Sequence, residues 1–127
     1  MIFLETSFLV ALFVPKTKKH KLAKKIMGRI KRENKAISEM TIYETLTVLR
    51  RLNQSDEFLK KVYTYLTRLY VLEDIIHYKE ALDYTFINKI GFFDNLSYVV
   101  MKNNDINKIV SFDNDFYQIE GIIVIDE

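Results

Sequence analysis

The 127-residue chain contains no cysteine, one proline, three glycines and two histidines. Without cysteine there are no disulfides, no zinc thiolate sites and no thiol nucleophile, which agrees with a reducing, cytoplasmic setting. Metal ligation or acid–base chemistry then rests on carboxylates and on His20 and His77, neither of them placed near the acids singled out below. No apolar run is long enough for a transmembrane helix, so no membrane partner is expected. The opening Met1 to Val14 is apolar, but unlike a signal peptide it carries Glu5, lacks a basic leader and has no small-residue cleavage site. Repeats, low-complexity segments and linker-like stretches are missing as well. With 49% hydrophobic and 28% charged residues, a chain of this length predicts one domain over 1–127 with a single core. A net charge of only +2 leaves any attraction to nucleic acid to a local patch.

What is present is a set of short apolar runs that stop at acids. Ile109 to Phe112 ends at Asp113-Asn114-Asp115, and Ile2 to Leu4 ends at Glu5-Thr6-Ser7. Uninterrupted runs of this length read as buried strands of a parallel sheet, whose ligands bind outside the carboxyl ends of the strands. Between them the pattern alternates. Thr6 or Ser7 is expected to cap a helix that Pro15 ends, and Lys16 to Arg32 reads as an amphipathic helix with Leu22, Ile26 and Ile30 inward. Lys35 to Ser38 predicts a second strand, Glu39 to Asn53 a helix with Ile42, Tyr43, Leu46 and Leu49 inward, and Ser55 to Tyr70 another. Tyr63, Tyr65 and Tyr70 are expected to be partly buried, the alternative being an exposed surface for a second copy or a protein partner. Val71-Leu72 is a weak third strand. A helix from Tyr78, with Ala81, Leu82, Thr85 and Phe86 inward, is expected to stop at Gly91. Asp94 is expected to begin the next helix, Phe116 to Ile119 a short helical piece, and Ile122 to Ile125 a last strand. Strands alternating with helices predict an α/β domain whose mainly parallel sheet is covered on both faces.

Four acids occupy positions that such a fold can bring together: Glu5, Glu44, Asp94 and Asp113, with Asp115 a fifth. Singly, each has a bland explanation as a helix cap or a solvated acid. Together they pose an electrostatic problem, because two carboxylates ~4 Å apart repel by about 4 kcal/mol at an effective dielectric of about 20. Oxygen-only ligation suits Mg²⁺ or Mn²⁺, ions that usually share their coordination with phosphates. The lysine-rich stretch from Lys16 to Arg32 contains no acid, and Lys16, Lys18, Lys19, Lys21 and Lys25 are candidates for contacting phosphates. A merely solvated helix face explains them about equally well.

The series Met1 to Val10, Ile37-Ser38 through Tyr43-Glu44, Asp94, and Val110 to Phe116 resembles the PIN-domain family over essentially the whole chain. It looks most like the small VapC-type ribonuclease toxins. The resemblance implies a three-layer α/β/α fold, divalent-metal-dependent cleavage of RNA, and commonly a homodimer neutralised by a VapB-type antitoxin. By position it implies metal-site roles for Glu44, Asp94 and Asp113, a supporting role for Asp115, and hydroxyl roles for Thr6, Ser7 and Ser111. Glu5 departs from the family pattern, which has aspartate there. The extra methylene displaces the carboxylate by more than ~1 Å unless the side chain folds back, and a misplacement of that size can cost ~100-fold in rate.

Three functions are then in view. The first is a metal-dependent ribonuclease built on the acids; the second is a silent PIN-like domain that binds RNA or protein. The third, a phosphorelay receiver, needs a phosphoacceptor aspartate at a mid-chain strand end, and the region around Ile37-Ser38-Glu39 offers none.

Overall fold

The computed structural model describes residues 1–127. Five strands, β1 (Ile2–Leu4), β2 (Lys35–Ser38), β3 (Tyr70–Leu72), β4 (Lys108–Val110) and β5 (Ile123–Ile125), form one sheet in the order β3-β2-β1-β4-β5. Every pairing is parallel, with Phe3 opposite both Ala36 and Ile109. The helices are α1 (Thr6–Phe13), α2 (His20–Arg29), α3 (Glu39–Arg51), α4 (Asp56–Leu66), α5 (Tyr78–Ile87) and α6 (Phe92–Asn103). Two 3₁₀ turns, Ile75–His77 and Asn114–Gln118, complete the chain. No helix is long and apolar enough to cross a membrane.

The middle strand β1 is short and wholly apolar because both of its faces are covered. Ile2 and Leu4 point into one buried cluster with Phe8, Leu9, Ile26, Leu49, Val62 and Leu66, from the side of α1 to α4. Phe3 points the other way, into a cluster with Ala81, Leu96, Val100, Ile109 and Phe116. The single core predicted from composition is therefore two cores separated by the sheet, and the three-layer α/β/α architecture follows.

The strand order places the functional end. After β1 the chain winds outward through β2 and β3, then returns to β1's other side for β4 and β5. The switch of direction lies between β1 and β4, and the crevice outside the carboxyl ends of those two strands is where open parallel sheets bind ligands. Glu5 directly follows β1, and Ser111 to Asp113 directly follow β4.

Several expectations are corrected. The cap of α1 is Glu5, whose carboxylate accepts from the Ser7 amide, in place of Thr6 or Ser7. The basic helix is shorter than 16–32, because Thr17 turns its hydroxyl onto the Val14 carbonyl (2.7 Å) and α2 begins at His20. Gly91 does not stop α5. That helix ends at Ile87, while Asn88 pairs with Asn95, and Gly91 instead precedes α6, so Asp94 lies in its first turn and not at its cap. Leu82 and Phe86 are exposed because α5 meets the core through Ala81, with Tyr78, Tyr84 and Thr85 on the same side and the other two rotated off it. Tyr43, Tyr63, Tyr65 and Tyr70 are exposed too; on α4 the buried stripe is Leu59, Val62 and Leu66, and the tyrosines flank it.

Candidate metal centre

The site is built on the ends of β1 and β4, which lie side by side. Glu5 is 6% exposed and folds back over the start of α1. One of its oxygens takes the Ser7 amide; the other accepts from the Ser7 hydroxyl (2.9 Å) and the Ser111 hydroxyl (2.8 Å). Each of those hydroxyls in turn accepts a backbone amide from the segment after β4, Phe112 onto Ser7 (2.9 Å) and Asp113 onto Ser111 (3.0 Å). The two serines thus tie the loop after β4 to Glu5. A carboxylate offers about four acceptor positions, so three donors leave one open toward the crevice.

Asp94 enters from the first turn of α6, held by the buried Asn95 beside it, whose amide reaches Asn88, Thr85 and the Ile90 carbonyl. Asp113 caps the following 3₁₀ turn by accepting from the Asp115 amide (2.9 Å). Glu5, Asp94 and Asp113 each bring an oxygen within 4.8 Å of the others. Glu44 and Asp115 stand outside this trio. Glu44 projects from α3 and accepts from the Thr6 hydroxyl (3.0 Å), while Asp115 accepts from the Gln118 amide (3.4 Å) and its side chain reaches Asp94. A cavity of about 420 Å³ joins Glu5, Thr6, Ser7, Glu44, Asp94 and Asp113.

Its electrostatics are one-sided: four acids and no cation line it. Burial pushes the Asp94 carboxyl up, and the charges of Asp113 and Glu5 push it further, to about 8. Burial also raises Glu5, against the pull of the Ser7 amide and the two serine hydroxyls, and raises Glu44 against its bond from Thr6. Three converging carboxylates held against their mutual repulsion form an oxygen-only donor set that fits a hard divalent cation.

Sequence reasoning missed two features. Ser97, Val10 and Val48 also line the cavity, and Ser97 was detectable as the residue one helical turn beyond Asp94. Asp74 is buried and accepts from the Met40 amide (2.7 Å), pinning the start of the helix that carries Glu44. Of the five candidate lysines, Lys19 has its ammonium 4.8 Å from the centre of the ring of Phe112, the residue before Asp113. None of the five forms an ion pair with the acids.

The family model of the PIN domain matches residues 2–122. The chain belongs to the PIN-domain family. PIN domains generally use divalent metals, in keeping with the acidic trio. This PIN domain is similar in structure to Mycobacterium tuberculosis VapC20, a sarcin-ricin loop cleaving toxin, at 24% identity and TM-score 0.81 over 93% of this chain and 94% of that one. It is also similar to a chain of a toxin-antitoxin complex from Klebsiella pneumoniae (16% identity, TM-score 0.72, covering 97% and 96%). A third is VapBC2 from Rickettsia felis, bound to a DNA fragment from its promoter (19% identity, TM-score 0.69, covering 98% of each chain). No curated protein matches the PIN domain described here.

Proposed function

We propose that this PIN domain is a divalent-metal-dependent endoribonuclease that hydrolyses RNA phosphodiester bonds, and the toxin of a VapBC-type pair. The observation that carries the reading is the convergence of Glu5, Asp94 and Asp113 at the switch point of the sheet, with Glu44 across the same cavity. Those residues would hold Mg²⁺ or Mn²⁺, which supplies the Lewis acidity and water activation of phosphodiester hydrolysis. The chain's own contribution is placement. Ser7 and Ser111 fix Glu5; the Asp115 amide fixes Asp113; Thr6 fixes Glu44, leaving it free to orient water or accept a proton. Asp115 and the lysines of the 16–25 segment, Lys19 foremost, would support the site and hold the substrate's phosphates.

Glu5 folds back so that its carboxylate joins the trio in spite of the added length, which supports this reading. That favours a working site over a silent one. An antitoxin partner is supported by the toxin–antitoxin assemblies among the similar structures. A protein surface is available for it, or for a second copy, where Ile75, Ile76, Phe86, Ile87 and Phe93 are exposed. The test is cleavage of RNA by the purified chain in Mn²⁺. Cleavage that chelation and Asp94→Asn both abolish is the expected result; cleavage that persists in Asp94→Asn places the chemistry elsewhere.

A further inference from the structure

The catalytic cavity offers an RNA strand no cation at all, so the grip on the nucleotides beside the scissile phosphate has to come from outside it. The largest cavity of the molecule is a groove of about 950 Å³ between α3 and α4. Arg50, Arg51 and Lys60 line it together with Leu46, Leu59 and Tyr63. A shallower hollow continues along α4 past Lys61 and Arg68. The two hollows hold five cations against Asp56 and Glu57, a larger positive excess than the whole chain carries. Asp56 engages only Arg50, at 2.7 Å on the surface.

This groove and the catalytic cavity are separate hollows that share α3 as a wall. Glu44 and Val48 line the cavity, and Thr47 and Arg51, on the same helix, line the groove. Arg51 stands two turns beyond Glu44, about 10 Å along the axis. A strand with one phosphate at the acids would therefore lay its next nucleotides along α3. Tyr63 is 47% exposed and lines the groove among the cations, the combination of aromatic platform and positive charge that single strands recognise without sequence preference.

We propose that the α3–α4 groove is the binding track for single-stranded RNA flanking the cleavage point, with Arg50, Arg51 and Lys60 on phosphates and Tyr63 stacking a base. The proposal rests on the nuclease reading. It assigns the main substrate grip to α3 and α4 instead of to the lysine-rich α2.

The test is fluorescence anisotropy with a short unstructured oligoribonucleotide, carried out in an Asp94→Asn background so that the strand is not cut, alongside Mn²⁺-dependent cleavage by the chain with Asp94 intact. Arg50→Ala with Arg51→Ala should weaken binding about tenfold or more and lower the magnitude of the salt slope by about 1.4, the contribution of two phosphates. Tyr63→Ala should weaken it about tenfold with the slope unchanged, and Tyr63→Phe should bind like the parent. Lys24→Ala with Lys25→Ala on α2 removes equal charge and should weaken binding clearly less than the groove pair does. Groove variants that bind like the parent, or α2 variants that lose as much, overturn the proposal. If cleavage by the native chain persists in that case, the groove assignment falls and the nuclease reading stands; a chain that neither binds nor cuts RNA sinks both. Groove variants that keep RNA but lose binding of poly-L-glutamate would make the groove a seat for an acidic protein segment and would also overturn the proposal.

Discussion

Replacing Asp94 by asparagine should stabilise the metal-free protein, and the gain should grow with pH. In the native chain the Asp94 carboxyl is raised from 3.8 to about 8 by burial and by the charges of Asp113 and Glu5. Between those two values the folded state holds a proton that the unfolded state has released, so stability falls as pH rises through that window. Asparagine mimics the protonated form. At pH 6 Asp94→Asn should already melt higher, because the unfolded native chain has released a proton that the folded one keeps, and the gap should widen by pH 9, where the native chain carries the full repulsion. Oxygens within 4.8 Å of one another repel by roughly 3.5 kcal/mol per pair at a dielectric of about 20. Asp94 faces an open cavity, and solvent screening reduces this to ~1–2 kcal/mol, or about 4–8 °C in melting temperature. Manganese should reverse the order: at a hundredfold excess over its dissociation constant it stabilises the native chain by ~2.7 kcal/mol and leaves Asp94→Asn where it was. Differential scanning fluorimetry at pH 6 and 9, with and without Mn²⁺, measures all four states. Identical melting of the two chains at pH 9, or a manganese shift retained by Asp94→Asn, refutes the reasoning.

Ser111→Ala removes a donor to Glu5 and the acceptor of the Asp113 amide; it should lower stability by ~1–3 kcal/mol in urea unfolding and reduce Mn²⁺ affinity measured by calorimetry. Glu5→Gln keeps an oxygen for the Ser7 amide but loses the charge, so helix content by circular dichroism should persist while Mn²⁺ binding weakens at least about tenfold. Phe116→Ala empties a fully buried position beneath the turn that carries Asp113 and Asp115, and should cost about 3–5 kcal/mol in chemical denaturation. Phe86→Ser, at a residue 78% exposed, should leave the melting temperature within about 2 °C of native, and a larger fall would show that Phe86 is covered in solution.

The parallel sheet and its acids were legible because β1 and the Ile109-Val110 end of β4 carry only apolar residues and stop abruptly at polar ones. Ile2–Leu4 and Lys108–Val110 are short, yet each is followed at once by a functional group, and that punctuation survives in one dimension. The helix faces read less well. The helical pattern placed Leu82 and Phe86 inside, but α5 approaches its neighbours through Ala81, and which side of a helix carries the closest contact depends on a partner 15 or so residues away. Gly91 looked like a stop because glycine commonly ends helices; here it takes an ordinary φ of −66°, and the stop is made by Asn88 reaching Asn95. The fold-back of Glu5 was equally hidden, since it depends on a serine 106 residues later in the chain. Its correct position in the trio is a product of tertiary structure, not of local sequence.

The bond between Ser111 and Glu5 also sets an order of events in time. β4 enters the middle of the sheet beside β1, although more than a hundred residues separate them. During synthesis, a chain that has passed Asp94 but not yet reached Ser111 has Glu5, Glu44 and Asp94 but neither Asp113 nor the hydroxyl that locks Glu5 in place. Helices α1 to α6 can form and pack locally while the acids remain unassembled, because pairings distant in sequence close late. On the proposed nuclease reading, the site is therefore assembled only once the segment after β4 has left the ribosome.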